Sequence, residues 1–226
     1  MEFFNIEKFD ALTKDMYAPA YPLIARQIVD RTGITEGNCL DIGTGCGYLG
    51  IALAKITALR VRLFDIAPQA LCRAAQNAAE AGLPGRLETL QGDVQHIPLP
   101  ENSIDLAVSR ASMMFWPDMS DALREICRIL VPGGCAYIGG GFGTDALNAS
   151  IQEKREGLHI DWHDLTKLVV KKYTPETLAE EAQKVHRGQY RIFTEGGLWL
   201  LLRKEADPSG QSLRDQAQRS QSNSVQ

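Results

Sequence analysis

The run Cys39-Leu40-Asp41-Ile42-Gly43-Thr44-Gly45-Cys46-Gly47 joins a short apolar stretch ending on an acid to a glycine at every second position. Glycines so spaced let the backbone approach a ligand without an intervening side chain. A loop of this kind belongs at the carboxyl edge of a sheet, where open α/β folds place their ligands. A second carboxylate, Asp65, stands 24 residues beyond Asp41 and is followed by Ile66-Ala67-Pro68. A third, Asp93, lies in Gln91-Gly92-Asp93-Val94. Taken singly, each is equally a turn residue or a solvated carboxylate; together their spacing favours a binding site. Further along, Arg110 offers a planar cation able to clamp an anion and Trp116 an aromatic wall, with a surface ion pair and a buried anchor as the plain alternatives. His159 and His163, interleaved with Asp161 and Asp164, have the chemistry of a base or of metal ligands. Histidines at that spacing are commonly solvated, so no metal is assigned. Tyr17 and Tyr21, with Met16, are read as a lid over the site or as core.

These groups need a scaffold, and the chain alternates strand-like with helical patterns, an α/β signature. Strands are expected at Asn38 to Ile42, Arg60 to Phe64, Arg86 to Gln91, Ile104 to Ser109 and Cys135 to Gly139. Helices are expected from Pro22 to Thr32, Leu49 to Ala58, Pro68 onward, Pro117 to Leu130, Asp145 to Glu156 and from Thr174-Pro175. Pro132-Gly133-Gly134 reads as a chain reversal after a helix. Gln189 to Thr194 and Leu198 to Arg203, around Glu195-Gly196-Gly197, read as an antiparallel hairpin. Gly139 to Gly143, together with the histidine cluster beyond it, is a candidate substrate-side segment. The expected organisation is one domain over 1–205, in which 1–32 form an N-terminal helix or lid. From 206 to 226 aromatics vanish and serine and glutamine dominate, so a disordered tail is expected.

The 226 residues are ample for a buried core, and 44% hydrophobic with 23% charged side chains is ordinary for a globular protein. No apolar run reaches the ~18 residues of a membrane helix and the N-terminus shows no signal-peptide pattern, so a cytoplasmic protein without membrane partners is expected. Twenty-four basic against 28 acidic residues exert no pull on nucleic acid. Five cysteines without CxxC spacing suit free thiols.

Asp41, Gly43, Gly45 and Gly47 match, position for position, the first motif of the class I S-adenosylmethionine-dependent methyltransferases, which this sequence resembles. Asp65, Asp93-Val94 and the stretch Leu123 to Gly134 follow in the family's order, so the resemblance covers about Gly33 to Gly139. It implies a three-layer, Rossmann-like seven-stranded sheet, mostly parallel with a C-terminal antiparallel hairpin, and S-adenosyl-L-methionine as cofactor. It also implies that Asp65 accepts from both ribose hydroxyls, as suits an acceptor-only carboxylate facing a vicinal diol. Asp93 would take the adenine amine and Val94 would pack on the ring, while Thr44, Ile66 and Ser109 flank the cofactor. Tyr17, Tyr21, Arg110, Trp116 and His163 are the candidate acceptor-side residues, and no catalytic side chain is assigned.

A nicotinamide-dependent oxidoreductase is the sharper rival, because Gly45, Gly47 and Gly50 spell GxGxxG with Asp65 20 residues past Gly45. There the first glycine follows the strand directly; here it comes about two residues late and leaves a carboxylate near a pyrophosphate, which like charges disfavour. A protein that binds S-adenosylmethionine without turnover is the third reading. Relatives that methylate adenine or glutamine carry Asn/Asp-Pro-Pro-Tyr/Phe after the fourth strand, and the RNA cytosine type carries Pro-Cys. Here that place reads Ser109-Arg110-Ala111-Ser112, which leaves a small-molecule acceptor.

Overall fold

The computed structural model describes residues 6–83, 85–157, 173–185 and 188–206. Asn38–Ile42 (β1) is apolar apart from Asn38 and Asp41, and four of its five residues are buried, as a strand covered on both faces requires. It pairs in parallel with Arg60–Asp65 (β2) on one side and Ile104–Arg110 (β4) on the other. Leu87–Gln91 (β3) continues the parallel sheet beyond β2, and Leu130–Gly141 (β5) continues it beyond β4. Gln189–Phe193 (β6) and Gly197–Arg203 (β7) form an antiparallel hairpin whose β7 strand pairs antiparallel with β5. The order β3-β2-β1-β4-β5-β7-β6 is the expected seven-stranded sheet with its C-terminal hairpin.

Helices cover both faces because alternate strand residues point to opposite sides. Ala20–Thr32 (α2) and Tyr48–Ile56 (α3) bury Ile24, Ile28, Leu49 and Leu53 with Val61, Leu63, Val108 and Tyr137; Pro68–Glu80 (α4) adds Ala74 and Asp145–Gly157 (α6) adds Ile151. On the other face Met119–Ile129 (α5) and Pro175–Val185 (α7) bury Leu123, Ile126, Leu178 and Ala182 with Leu40, Ile42, Ala107 and Ile138. A short helix, Ile6–Leu12 (α1), and a π-helical turn, Thr13–Tyr17, precede α2. Among the described residues no helix is long and apolar enough to cross a membrane.

Most boundaries shift by a residue or two from the sequence reading, and three features bear on the site. α2 starts at Ala20, so Pro22 sits inside its first turn, where a missing N–H costs nothing. α5 stops at Ile129, and Pro132-Gly133-Gly134 lies within β5. Ile104 pairs with Leu130 but Leu106 with Cys135, so 131–134 bulge from the ladder, and the Gly133 N–H donates to the Lys204 carbonyl at 3.0 Å. The third concerns Gly139 and Gly141: a Cβ at either would overlap the backbone of Leu198 or Gly196, so bare main chain there lets β5 and β7 close on each other. The cluster 159–164 and the tail 207–226 lie outside the described residues.

β4 ends in a kink. Ala111, directly after Arg110, has φ +57° and donates its N–H to the Gly139 carbonyl at 2.7 Å. A Cβ in that region costs about 1–2 kcal/mol, partly offset by the extra freedom glycine has when unfolded. Ala111→Gly is therefore expected to stabilise the fold by about 0.5–1 kcal/mol in urea denaturation. A loss of stability would mean that the kink carries no strain.

Candidate functional site

The chain runs outward from β1 through β2 to β3 and then returns to β4 on the other side of β1, so the order reverses between β1 and β4. Crevices in open α/β sheets form at such a reversal, at the carboxyl ends of the strands. The glycine loop begins there. The N–H groups of Gly43 and Thr44 both donate to the Phe64 carbonyl, at 2.8 and 3.0 Å, which pins the loop to the end of β2. The Gly45 N–H donates to Asp65 Oδ2 at 2.9 Å and the Ala67 N–H to Asp65 Oδ1 at 2.9 Å. Gly45 has φ +55°, a left-handed turn that aims its N–H at Asp65.

Asp41 does not reach the surface: it is 1% exposed. Its Oδ2 accepts from Thr44 Oγ1 at 2.7 Å and from the Gly50 N–H in the first turn of α3 at 2.9 Å, bracing the loop from beneath. Burial pushes its carboxyl from the ordinary 3.8 up to about 6, against the pull of those two hydrogen bonds, and the charge of Asp65 adds to the rise. Between about pH 4 and 6 the folded protein therefore binds the proton that the unfolded chain has released, so stability falls as pH rises through this window. The fall attributable to this group is about 3 kcal/mol. Asp41→Asn, which keeps an acceptor and removes the charge, is expected to flatten melting temperature across pH 4–6; an unchanged profile would assign the effect to another group.

Val94 is buried in the α5-side core, while Asp93 is half-buried with Oδ1 accepting from the Gln95 N–H at 2.9 Å. The Gly92 N–H donates to the Asp65 carbonyl at 3.1 Å, which sets Asp93 just past the end of β3 beside β2. Ile66 is 65% exposed next to Asp65. Ser109 is fully buried, its Oγ 2.6 Å from Ser112 Oγ, and Ser112 Oγ also donates to the Ile42 carbonyl at 3.2 Å. Ser109 therefore sits beneath the loop. Trp116, 5% exposed within the α5-side core, is an anchor and not a wall. His163 lies outside the described residues.

Sequence reasoning singled out Tyr17 and Tyr21 in the N-terminal segment but missed the cover carrying Phe9 and Asp10. The Phe9 ring stands over Gly45, 3.7 Å from where a Cβ would be. Asp10, buried, accepts from Tyr48 Oη at 2.6 Å and Asn77 Nδ2 at 2.9 Å and pairs with Lys14 at 3.1 Å. Asn77 Nδ2 also donates to the Cys46 carbonyl at 2.9 Å, so the cover is tied to the loop itself. Burial is the largest influence on the Asp10 carboxyl and would raise it, yet hydrogen bonds from Tyr48, Asn77 and Lys14 hold it below the ordinary value. Tyr17 and Tyr21 are buried under this cover, with the Tyr21 ring 5.3 Å from that of Tyr48. The only signal available from sequence was the run of aromatic and acidic residues before Ala20.

Residues 40–138, the part carrying this site, match the family model described as "Methyltransferase domain". A crystal structure of a Methanococcus maripaludis protein assigned as an S-adenosyl-L-methionine-dependent methyltransferase is 38% identical, with TM-score 0.83, covering 89% of this chain and 92% of that one. This chain belongs to the S-adenosyl-L-methionine-dependent methyltransferase family. Among curated relatives, a demethylmenaquinone methyltransferase of Chlorobaculum tepidum is 30% identical over 106 residues, 47% of this chain and 41% of that protein. The mitochondrial arginine-hydroxylase NDUFAF5 of Rattus norvegicus is 37% identical over 108 residues, 48% of this chain and 29% of that protein. The chain thus spans less than half the length of either curated relative.

Proposed function

We propose that this chain binds S-adenosyl-L-methionine across the ends of β1, β2 and β3 and transfers its methyl group to a small-molecule acceptor on the β4 side. The Gly45–Asp65 contact carries this reading. It joins the bare loop to a carboxylate whose two oxygens each accept one backbone N–H and retain a lone pair, which suits the two hydroxyls of a ribose. Ile66 offers an uncovered apolar surface beside it, and Asp93 supplies an acceptor for an exocyclic amine. Among the described residues no cation pairs with Asp65 or Asp93 at the loop, or with Asp41 buried beneath it. Such a rim repels a pyrophosphate and favours a ligand bearing ammonium and sulfonium groups. The quinone in the name of the Chlorobaculum relative supports a small organic acceptor.

When bound, the cofactor supplies a methyl group on a positively charged sulfur with a neutral leaving group. The protein then has to hold the acceptor in line, roughly 3–3.5 Å from the methyl carbon, and exclude water. Asp65, Asp93 and the loop fix the nucleoside end; Asp41 and Ser112 act through the loop as positioning residues; the cover carrying Phe9 and Asp10 keeps water out. A general base is needed only for a hydroxyl, a protonated amine or a carbon acid.

Calorimetric titration with S-adenosylhomocysteine and with NAD tests the class directly. The homocysteine nucleoside is expected to bind and NAD to fail; the reverse would restore the oxidoreductase reading. Turnover of S-adenosylmethionine against a metabolite panel then separates an enzyme from a protein that holds the cofactor without reaction.

A further inference from the structure

The β4 side of the site holds a cation that the cofactor contacts leave unused. Arg110, half-buried at the end of β4, donates from Nε to the Gly141 carbonyl at 2.9 Å and from Nη1 to Tyr21 Oη at 3.1 Å. Its Cζ lies 4.9 Å from the Tyr21 ring centroid, 5.0 Å from that of Phe142 and 5.8 Å from that of Tyr17. Carbonyl, phenol and ring faces orient a guanidinium without neutralising it, and among the described residues no carboxylate pairs with it. Two of its five N–H donors are engaged, so enough remain for a bidentate oxyanion. A partly desolvated charge without a counter-ion destabilises the protein until an anion arrives. The strained Ala111 follows it directly, and Phe115, in the connection that leads on to α5, is 61% exposed.

We propose that Arg110 receives an oxyanion of the methyl acceptor, which makes the acceptor an organic acid with an apolar body; this rests on the methyltransferase reading above. The cofactor's own carboxylate is the competing source. Arg110 bonds the Gly141 carbonyl and packs on Phe142 on the β5 side of β4, clear of the β2 and β3 ends that carry the nucleoside contacts, and the test below separates the two sources.

The test titrates S-adenosylhomocysteine-saturated protein with 2-naphthoate and its neutral analogue 2-naphthamide, in the wild type, Arg110→Gln and Arg110→Lys. The wild type is expected to bind the acid at least about tenfold more tightly than the amide, because hydrogen bonds to a charged partner are the stronger ones. Arg110→Gln should abolish that preference while leaving affinity for the amide and for S-adenosylhomocysteine unchanged. Arg110→Lys should keep part of it, since a lysine retains the charge but not the fork. Equal affinity for acid and amide in the wild type overturns the proposal. So does an equal loss of both in Arg110→Gln, the mark of a residue that only supports the cover. If Arg110→Gln weakens S-adenosylhomocysteine but not 5′-methylthioadenosine, which lacks the carboxylate, the guanidinium serves the cofactor and the proposal falls. A wild type that ignores S-adenosylhomocysteine altogether removes the methyltransferase reading itself, and this inference with it.

Discussion

Asp65→Ala is expected to weaken S-adenosylhomocysteine binding by about tenfold to several hundredfold in a calorimetric titration. One hydrogen bond to a charged acceptor is worth about 1.5 kcal/mol or more, close to a factor of ten, and the proposed ribose contact uses two. The loss has a second source. Asp65 also receives the N–H groups of Gly45 and Ala67, so its removal frees the loop at Gly45 as well as emptying the diol contact. Asp65→Asn is expected to be nearly as severe, because the new NH2 must face one of those two backbone donors. Titration well below the melting temperature separates binding from unfolding, and affinity unchanged in both variants would contradict the ribose assignment.

Gly43→Ala is expected to cost about 2–5 kcal/mol in urea denaturation, a large part of the ~5–15 kcal/mol that holds an ordinary domain together. Gly43 has φ +65°, where a side chain costs about 1–2 kcal/mol, and the new methyl would overlap the Cβ and Oγ of Ser112. Overpacking of that kind adds about 1–3 kcal/mol. The overlap involves the residue whose hydroxyl holds the Ile42 carbonyl and Ser109, so relief by moving Ser112 breaks those contacts. Gly43→Ala with Ser112→Gly should relieve the overlap while keeping the dihedral cost and losing the Ser112 hydroxyl's bonds to Ser109 and the Ile42 carbonyl, so only part of the loss returns. Full recovery, or no initial loss, would show that the loop tolerates side chains.

The strands and the loop were legible because their information is local. β1 announces itself as a short apolar stretch, β2 and β3 as β-prone stretches ending on Asp65 and Gln91, and the alternating glycines at 43, 45 and 47 mark the turn from strand to helix. The contacts that lend the site its shape were not legible, because the strand order creates them. Asp10 meets Asn77 across 67 residues, Ser112 meets Ile42 across 70 and Arg110 meets Tyr21 across 89. Nothing in a linear pattern says that Trp116 turns inward to the α5-side core while Phe115 stays in water; the short helical turn at Met113–Phe115 precedes that parting. Pro132-Gly133-Gly134 misled for a related reason. The same residues serve a reversal or a bulge, and it is the pairing of Leu106 with Cys135 that decides.

The crowding of main chain where β5 meets β7 has a historical consequence. Gly139, Gly141 and Gly196 face backbone atoms that cannot step aside, so descendants of this gene are confined to glycine there whatever substrate they come to handle. Phe115, standing in solvent beyond the end of β4, meets no such constraint and is free to drift.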